Sequence, residues 1–197
     1  MSPAAPASTV TLWRCFPWDR RASPGDPFSP TYLQPGQTTG RFDLGDHPPV
    51  RYLAGSPAHA VGEVLQGFRG ATLTAAHLKR HGWPLAIASF DIPVATYDKV
   101  ADLGDPAVLL KLHRRPEELA HHDRVVTQAI ARQVHGAGFA GLHWWSALTG
   151  AWTSTALFAD RVPAEELTIG DPEPLTLASV SVADAARILG LGMPGAR

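Results

Sequence analysis

Proline and glycine constrain this chain more than any other feature. There are 18 of each among its 197 residues. Proline lacks an amide donor and glycine costs conformational entropy, so each marks places where a helix or strand stops or starts. Thr9 to Phe16 reads as a strand, and Pro17 to Gly40, with Pro24, Pro27, Pro30 and Pro35, as a long loop of the kind that often carries function. Val50 to Ala54 reads as a short strand. Ser56-Pro57 then gives an N-cap and a first-turn proline, so a helix is expected from Pro57 to about Gln66, with Val61, Val64, Leu65 and Phe68 as its apolar stripe. Thr74 is expected to cap a shorter helix stopped by Gly82, and Leu85 to Ile92 reads as a strand closed by Pro93. One long helix is expected from about Pro116 to His135, burying Val125, Val126, Ala129, Ile130 and Val134 and ending at Gly136 and Gly138. Strands follow at Ala140 to Trp145 and Thr155 to Ala159. A last helix, Val182 to Leu189, is capped by Ser181 and packs Ala185, Ile188 and Leu189 on the core. Strands and helices mix without a βαβαβ rhythm, which predicts an α+β fold. No linker or repeat divides the chain, so a single domain over 1–197 is expected, with 1–8 a loose leader and about 160–197 a C-terminal extension.

Composition narrows the function classes. Hydrophobic residues make up 45% of the chain and charged residues 18%, which suits a packed domain rather than disorder. A formal net charge of −1 offers no basic excess for gripping phosphates along a nucleic acid, so no direct nucleic-acid binding is expected. The single cysteine, Cys15, can form no intrachain disulfide. The segment MSPAAPASTV has no basic stretch before a long apolar run, and no apolar run is long enough to span a bilayer. A cytoplasmic protein with no membrane association is expected.

Three motifs fail on their context. Gly136-Ala-Gly138-Phe-Ala-Gly141 matches the dinucleotide fingerprint, but a helix precedes it and a strand follows, the reverse of what places phosphate at a helix N-terminus. His121 and His122 are adjacent and cannot share a helix face, so with His113 and Asp123 they make no metal site. Ser146 lacks the flanking glycines of a hydrolase elbow, since Trp144 and Leu148 occupy those positions.

Arg14, Arg41, Tyr52, Glu63 and Ser146 each look ordinary alone. Glu63 lies close to its helix's apolar stripe, which puts its carboxylate either on the helix border in water or facing a cleft. Ser146 is either a turn serine or a binding group at the end of a strand. Their order is more specific. Gly40-Arg41-Phe42, Tyr52-Leu53-Ala54, Glu63 eleven positions after Tyr52, Trp144-Trp145-Ser146 ending a strand, and Ala156-Leu157-Phe158 together resemble the RES family, from about Thr11 to Phe158. The pattern departs at Cys15, where an aromatic is common, and at Trp144-Trp145, where Tyr-Pro is usual.

That resemblance implies an ADP-ribosyltransferase-like core, two small β-sheets forming a cleft flanked by helices. It implies a toxin of a bacterial toxin–antitoxin pair that depletes NAD by hydrolysis or phosphorolysis of the nicotinamide–ribose bond. NAD is then the substrate, inorganic phosphate a co-substrate in the second case, and no further cofactor or metal is expected. Related alternatives are ADP-ribosylation of a protein and an inactive partner-binding module. By the same resemblance Glu63 would act at the ribose, Arg41 and Arg14 on the pyrophosphate, Tyr52 against the nicotinamide ring, and Ser146 in positioning. An Xre-type helix-turn-helix antitoxin would block the cleft.

Overall fold

The computed structural model describes residues 8–45 and 48–195; the leader expected over 1–8 lies, but for Ser8, outside them. In chain order the strands are β1 (Thr9–Pro17), β2 (Val50–Ala54), β3 (Lys79–Arg80), β4 (Trp83–Pro93), β5 (Val100–Asp102), β6 (Gly141–Trp145), β7 (Thr153–Phe158), β8 (Thr168–Ile169) and β9 (Glu173–Pro174). The helices are α1 (Pro57–Leu65), α2 (Val94–Tyr97), α3 (Pro106–Lys111), α4 (Pro116–Leu119), α5 (Arg124–Gly136) and α6 (Val180–Leu189). The sheet runs β3-β4-β1-β2-β7-β6-β5, with β8 and β9 also on β4. All pairs are antiparallel except β5 with β6. This is the expected α+β class.

The sheet is one hydrogen-bonded path, yet it behaves as two half-sheets. β1 pairs with β4 from Thr9 to Pro17, and β2 pairs with β7 from Val50 to Ala54. Between the halves, β1 and β2 share the single register pair Trp13↔Ala54. Side chains alternate across a strand, so the register decides what each face carries. On one face, Ala54, Leu85 and Ile87 pack under α1 and α6, while Val50, Leu142, Trp144, Ala156 and Phe158 pack under α3 to α5. The opposite face buries Leu12, Phe16, Leu53, Phe90 and Leu157 with Val162 and Leu167. A gap is left on the first face, above the seam, where the two helical groups do not meet.

The local signals explain the helix starts. Ser56 accepts from the His59 amide, with Pro57 in the first turn of α1. The long helix expected from Pro116 is two helices. Asp123 caps α5 through the Val125 amide, and the Leu119 and His121 carbonyls are taken by Arg41, at 3.0 Å each, rather than by later amides. The buried face of α5 is Thr127, Ile130, Ala131 and Val134, while Val125 is 66% exposed. After Thr74 only a 3-10 turn forms, Ala75–Leu78, before the chain enters the β3–β4 hairpin. Helix α6 starts two residues before the expected position and buries Val182, Ala185, Ala186 and Leu189; Ile188 is turned out. Gly136 closes α5 and Gly141 opens β6, the helix-then-strand order that rules out a phosphate loop there.

Candidate active site

A cavity of about 430 Å³ fills the gap above the seam. It is lined from β1 by Trp13, Arg14 and Cys15, from β2 by Tyr52 to Ala54, and from α1 by Ala60, Glu63 and Val64. Arg41, Gln66, Arg124, Trp144, Ser146 and Ser154 also line it. A cleft of this size suits one small organic ligand.

Glu63 is on the cavity wall, not on the outer helix border, and its side chain is 41% exposed. Its carboxylate is held on two sides. Oε1 accepts from His59 Nε2 at 2.9 Å and from Ser146 Oγ at 3.0 Å; Oε2 accepts from Gln66 Nε2 at 3.1 Å. Burial pushes the carboxyl up, but the hydrogen bond and the electrostatic effect of His59, followed by the hydrogen bonds from Ser146 and Gln66, outweigh it and hold Glu63 below the ordinary carboxylate range. Ser146 is buried just past β6; its amide donates to the Trp152 carbonyl at 2.7 Å, and its Oγ accepts from the Leu148 amide. That hydroxyl is a donor to the Glu63 carboxylate, which it helps to hold in place.

Tyr52 is fixed at both ends. Its ring stands edge-on to Trp144, with centroids 6.5 Å apart, and its hydroxyl donates to Asp43 Oδ1 at 2.8 Å while accepting from the Phe42 amide at 2.9 Å. Burial first, and then Asp43, raise its pKa well above the usual phenol, so it stays neutral. The same geometry accounts for the Gly-Arg step. A Cβ on Gly40 would lie 2.7 Å from the Tyr52 hydroxyl, so only glycine lets Arg41 reach the cavity at this point.

The arginines differ from one another. Arg41 spends Nη1 on the carbonyls that open the α4–α5 corner. Its pKa is lowered by burial and by Arg124, against a raising effect from Glu63. Arg124, the first residue of α5, has a carbonyl that accepts from the Thr127 hydroxyl, but its guanidinium makes no hydrogen bond or ion pair among the described residues, and it lines the same cavity. Arg14 alternates onto the face of Leu12 and Phe16, opposite Trp13 and Cys15, and also lines the cavity. Its Nη1 donates at 2.8 Å to the carbonyls of both Pro30 and Tyr32, and burial, then Arg51, lowers its pKa to about 10. It therefore stays charged and pins the long proline-rich loop. Burial pushes the Cys15 thiol up to about 12, which leaves it protonated and inert.

The family model of the RES domain matches residues 11–178. The chain belongs to the RES family. This RES domain also resembles the crystal structure of the M. tuberculosis MbcT–MbcA toxin–antitoxin complex, with a TM-score of 0.62, 17% sequence identity, and 91% of each chain covered. No curated protein sequence matches it. At that identity the likeness speaks for the fold alone.

All five residues singled out in the sequence of this RES domain line one cavity, and among the described residues Glu63 and Ser146 are the pair of these joined by a hydrogen bond. Sequence reasoning missed His59, Gln66, Trp152, Ser154 and Arg124. The first two carried a signal, because residues four before and three after Glu63 share its helix face. Arg124 had none, since its approach depends on the break between α4 and α5. Among the described residues no group of His, Cys, Asp and Glu is placed to hold a metal, and no helix is long and apolar enough to cross a membrane.

Proposed function

We propose that this chain is the toxin of a toxin–antitoxin pair and acts in the cytoplasm by cleaving NAD at the nicotinamide–ribose bond. One observation carries the reading: a carboxylate kept ionised by three side-chain donors opens onto the same cavity as Arg41 and Arg124. That pairing of charges matches NAD, which has an anionic pyrophosphate and a ribose that turns cationic as nicotinamide leaves. The RES family membership and the likeness to a protein solved with its antitoxin support it.

The chemistry follows from the leaving group. Nicotinamide departs neutral, so the site needs little acid help, and the oxocarbenium-like ribose needs negative charge in a water-poor place. Glu63 supplies it and orients the incoming water or phosphate. Arginine's planar fork suits the pyrophosphate oxygens, which Arg41 and Arg124 meet, with Arg14 at the seam. The rigid Tyr52 ring offers a face for nicotinamide. Ser146 positions Glu63. An Xre-type helix-turn-helix antitoxin covers the cleft and stops entry.

Purified, antitoxin-free protein incubated with NAD, with and without phosphate, tests this by chromatography. Free nicotinamide with ADP-ribose is expected from hydrolysis, and ADP-ribose 1″-phosphate from phosphorolysis. NAD left intact by folded protein overturns the reading. Label from NAD on an added protein would instead make the chain a transferase.

A further inference from the structure

The two oxygens of Glu63 are not equivalent. Oε1 is held by His59 and Ser146, both buried. Among the described residues, Oε2 has a hydrogen bond only from Gln66, which is exposed. We propose that His59 is a positioning residue that locks Oε1 of Glu63 from the protein interior, so that Oε2 is the oxygen presented to the substrate. The kinetic part of this rests on the NAD-cleaving reading above; the placement of the carboxylate does not.

His59 has no solvent exposure and sits one helical turn before Glu63. Its Nδ1 is buried without a hydrogen-bond partner among the described residues. A carboxylate oxygen can only accept, so Nε2 must carry the proton that bonds it. Nε2 is thus the nitrogen that holds Oε1. The Ser154 hydroxyl lies 3.5 Å from the same Nε2 and can accept a weaker share of that proton.

The ring is also held in plane. It stacks on Trp152, with centroids 4.9 Å apart and 19° between planes. Trp152 in turn presses on Gly62, where a Cβ would fall 2.7 Å from the indole, and its carbonyl receives the Ser146 amide. A single residue therefore orients both donors to Oε1. Such an arrangement serves a carboxylate whose direction matters, because reacting groups must stay within a few tenths of an ångström of their working geometry. Gln66, long and exposed, is the group a ribose hydroxyl can displace from Oε2.

Two measurements decide it. In wild-type protein, ¹⁵N NMR of the histidines should show a proton on Nε2 of His59; an Nε2 without a proton would overturn the proposal without any variant. Next, ¹³C NMR of the Glu63 carboxyl through a pH titration compares His59→Leu, which fills the space, with His59→Gln, whose amide restores a donor. The midpoint should rise by about one unit in His59→Leu and return in His59→Gln. In NAD turnover, kcat should fall roughly 10- to 100-fold in His59→Leu with KM unchanged, and recover in His59→Gln. An unmoved midpoint in folded His59→Leu sinks the proposal. A moved midpoint with no NAD cleavage even in wild type leaves the placement of the carboxylate standing and sinks the NAD reading instead.

Discussion

The two half-sheets divide the labour unequally. The β1–β4 half is long and continuously paired, and its cavity-facing positions, Trp13 and Cys15, are apolar or inert. The β2–β7–β6 half is built of short strands, and the groups with chemistry cluster on it or at its ends: Tyr52 on β2, Ser154 on β7, Ser146 after β6, and α1 with His59 and Glu63 after β2. One half is a wall and the other a bench. A site placed where two half-sheets share one register pair gains an opening that a fully paired sheet would close. Arg14 also lines the cavity, but its strong bonds go to the loop carbonyls, so it belongs more to the wall than to the bench.

The sharpest way to break this division is Glu63→Gln. Turnover of NAD should fall by about 10²- to 10³-fold, the cost of losing one aligned charge, while circular dichroism and the melting temperature stay close to wild type. The pH profile gives the sign. The Glu63 carboxyl is held below its ordinary range, so its charged form is the favoured one in the folded protein. Activity should therefore be complete at neutral pH and disappear only as pH falls through and below the usual carboxylate range. A limb on the alkaline side of neutrality would place the essential group elsewhere.

Gly62→Ala probes the bench next. An alanine in a helix normally stabilises, but here its Cβ meets the Trp152 ring, and a net loss of about 1–3 kcal/mol is expected from chemical denaturation. A stabilised variant would mean that Trp152 gives way and orients nothing. Arg14→Leu tests the wall. Loss of two buried hydrogen bonds from a charged donor should loosen the Pro17–Gly40 segment, read as faster proteolytic nicking there. NAD turnover should fall less than in Glu63→Gln. A larger fall in turnover than in loop protection would move Arg14 onto the bench. The smallest effect is at Cys15: native protein at pH 8 should resist alkylation over an hour, since its thiol stays protonated, and rapid labelling would contradict a closed wall.

What the sequence determined by itself is local. Ser56-Pro57 starts α1 because cap and proline satisfy their own turn, and Asp105-Pro106 carries the same signal at α3, unread in the sequence though present in it. The order and spacing of the motifs around Arg41, Tyr52, Glu63 and Ser146 pointed to the RES family, and those residues line one cavity. Tertiary structure alone decided the rest. Ser146 meets Glu63 across 83 positions of chain, Arg41 breaks the long helix by taking its carbonyls, and Arg14 turns to the loop. Each depends on which partner a buried polar group finds once distant segments are packed together. Periodicity along the chain carries no record of that choice, since an unpaired donor or acceptor is penalised only after water has been removed.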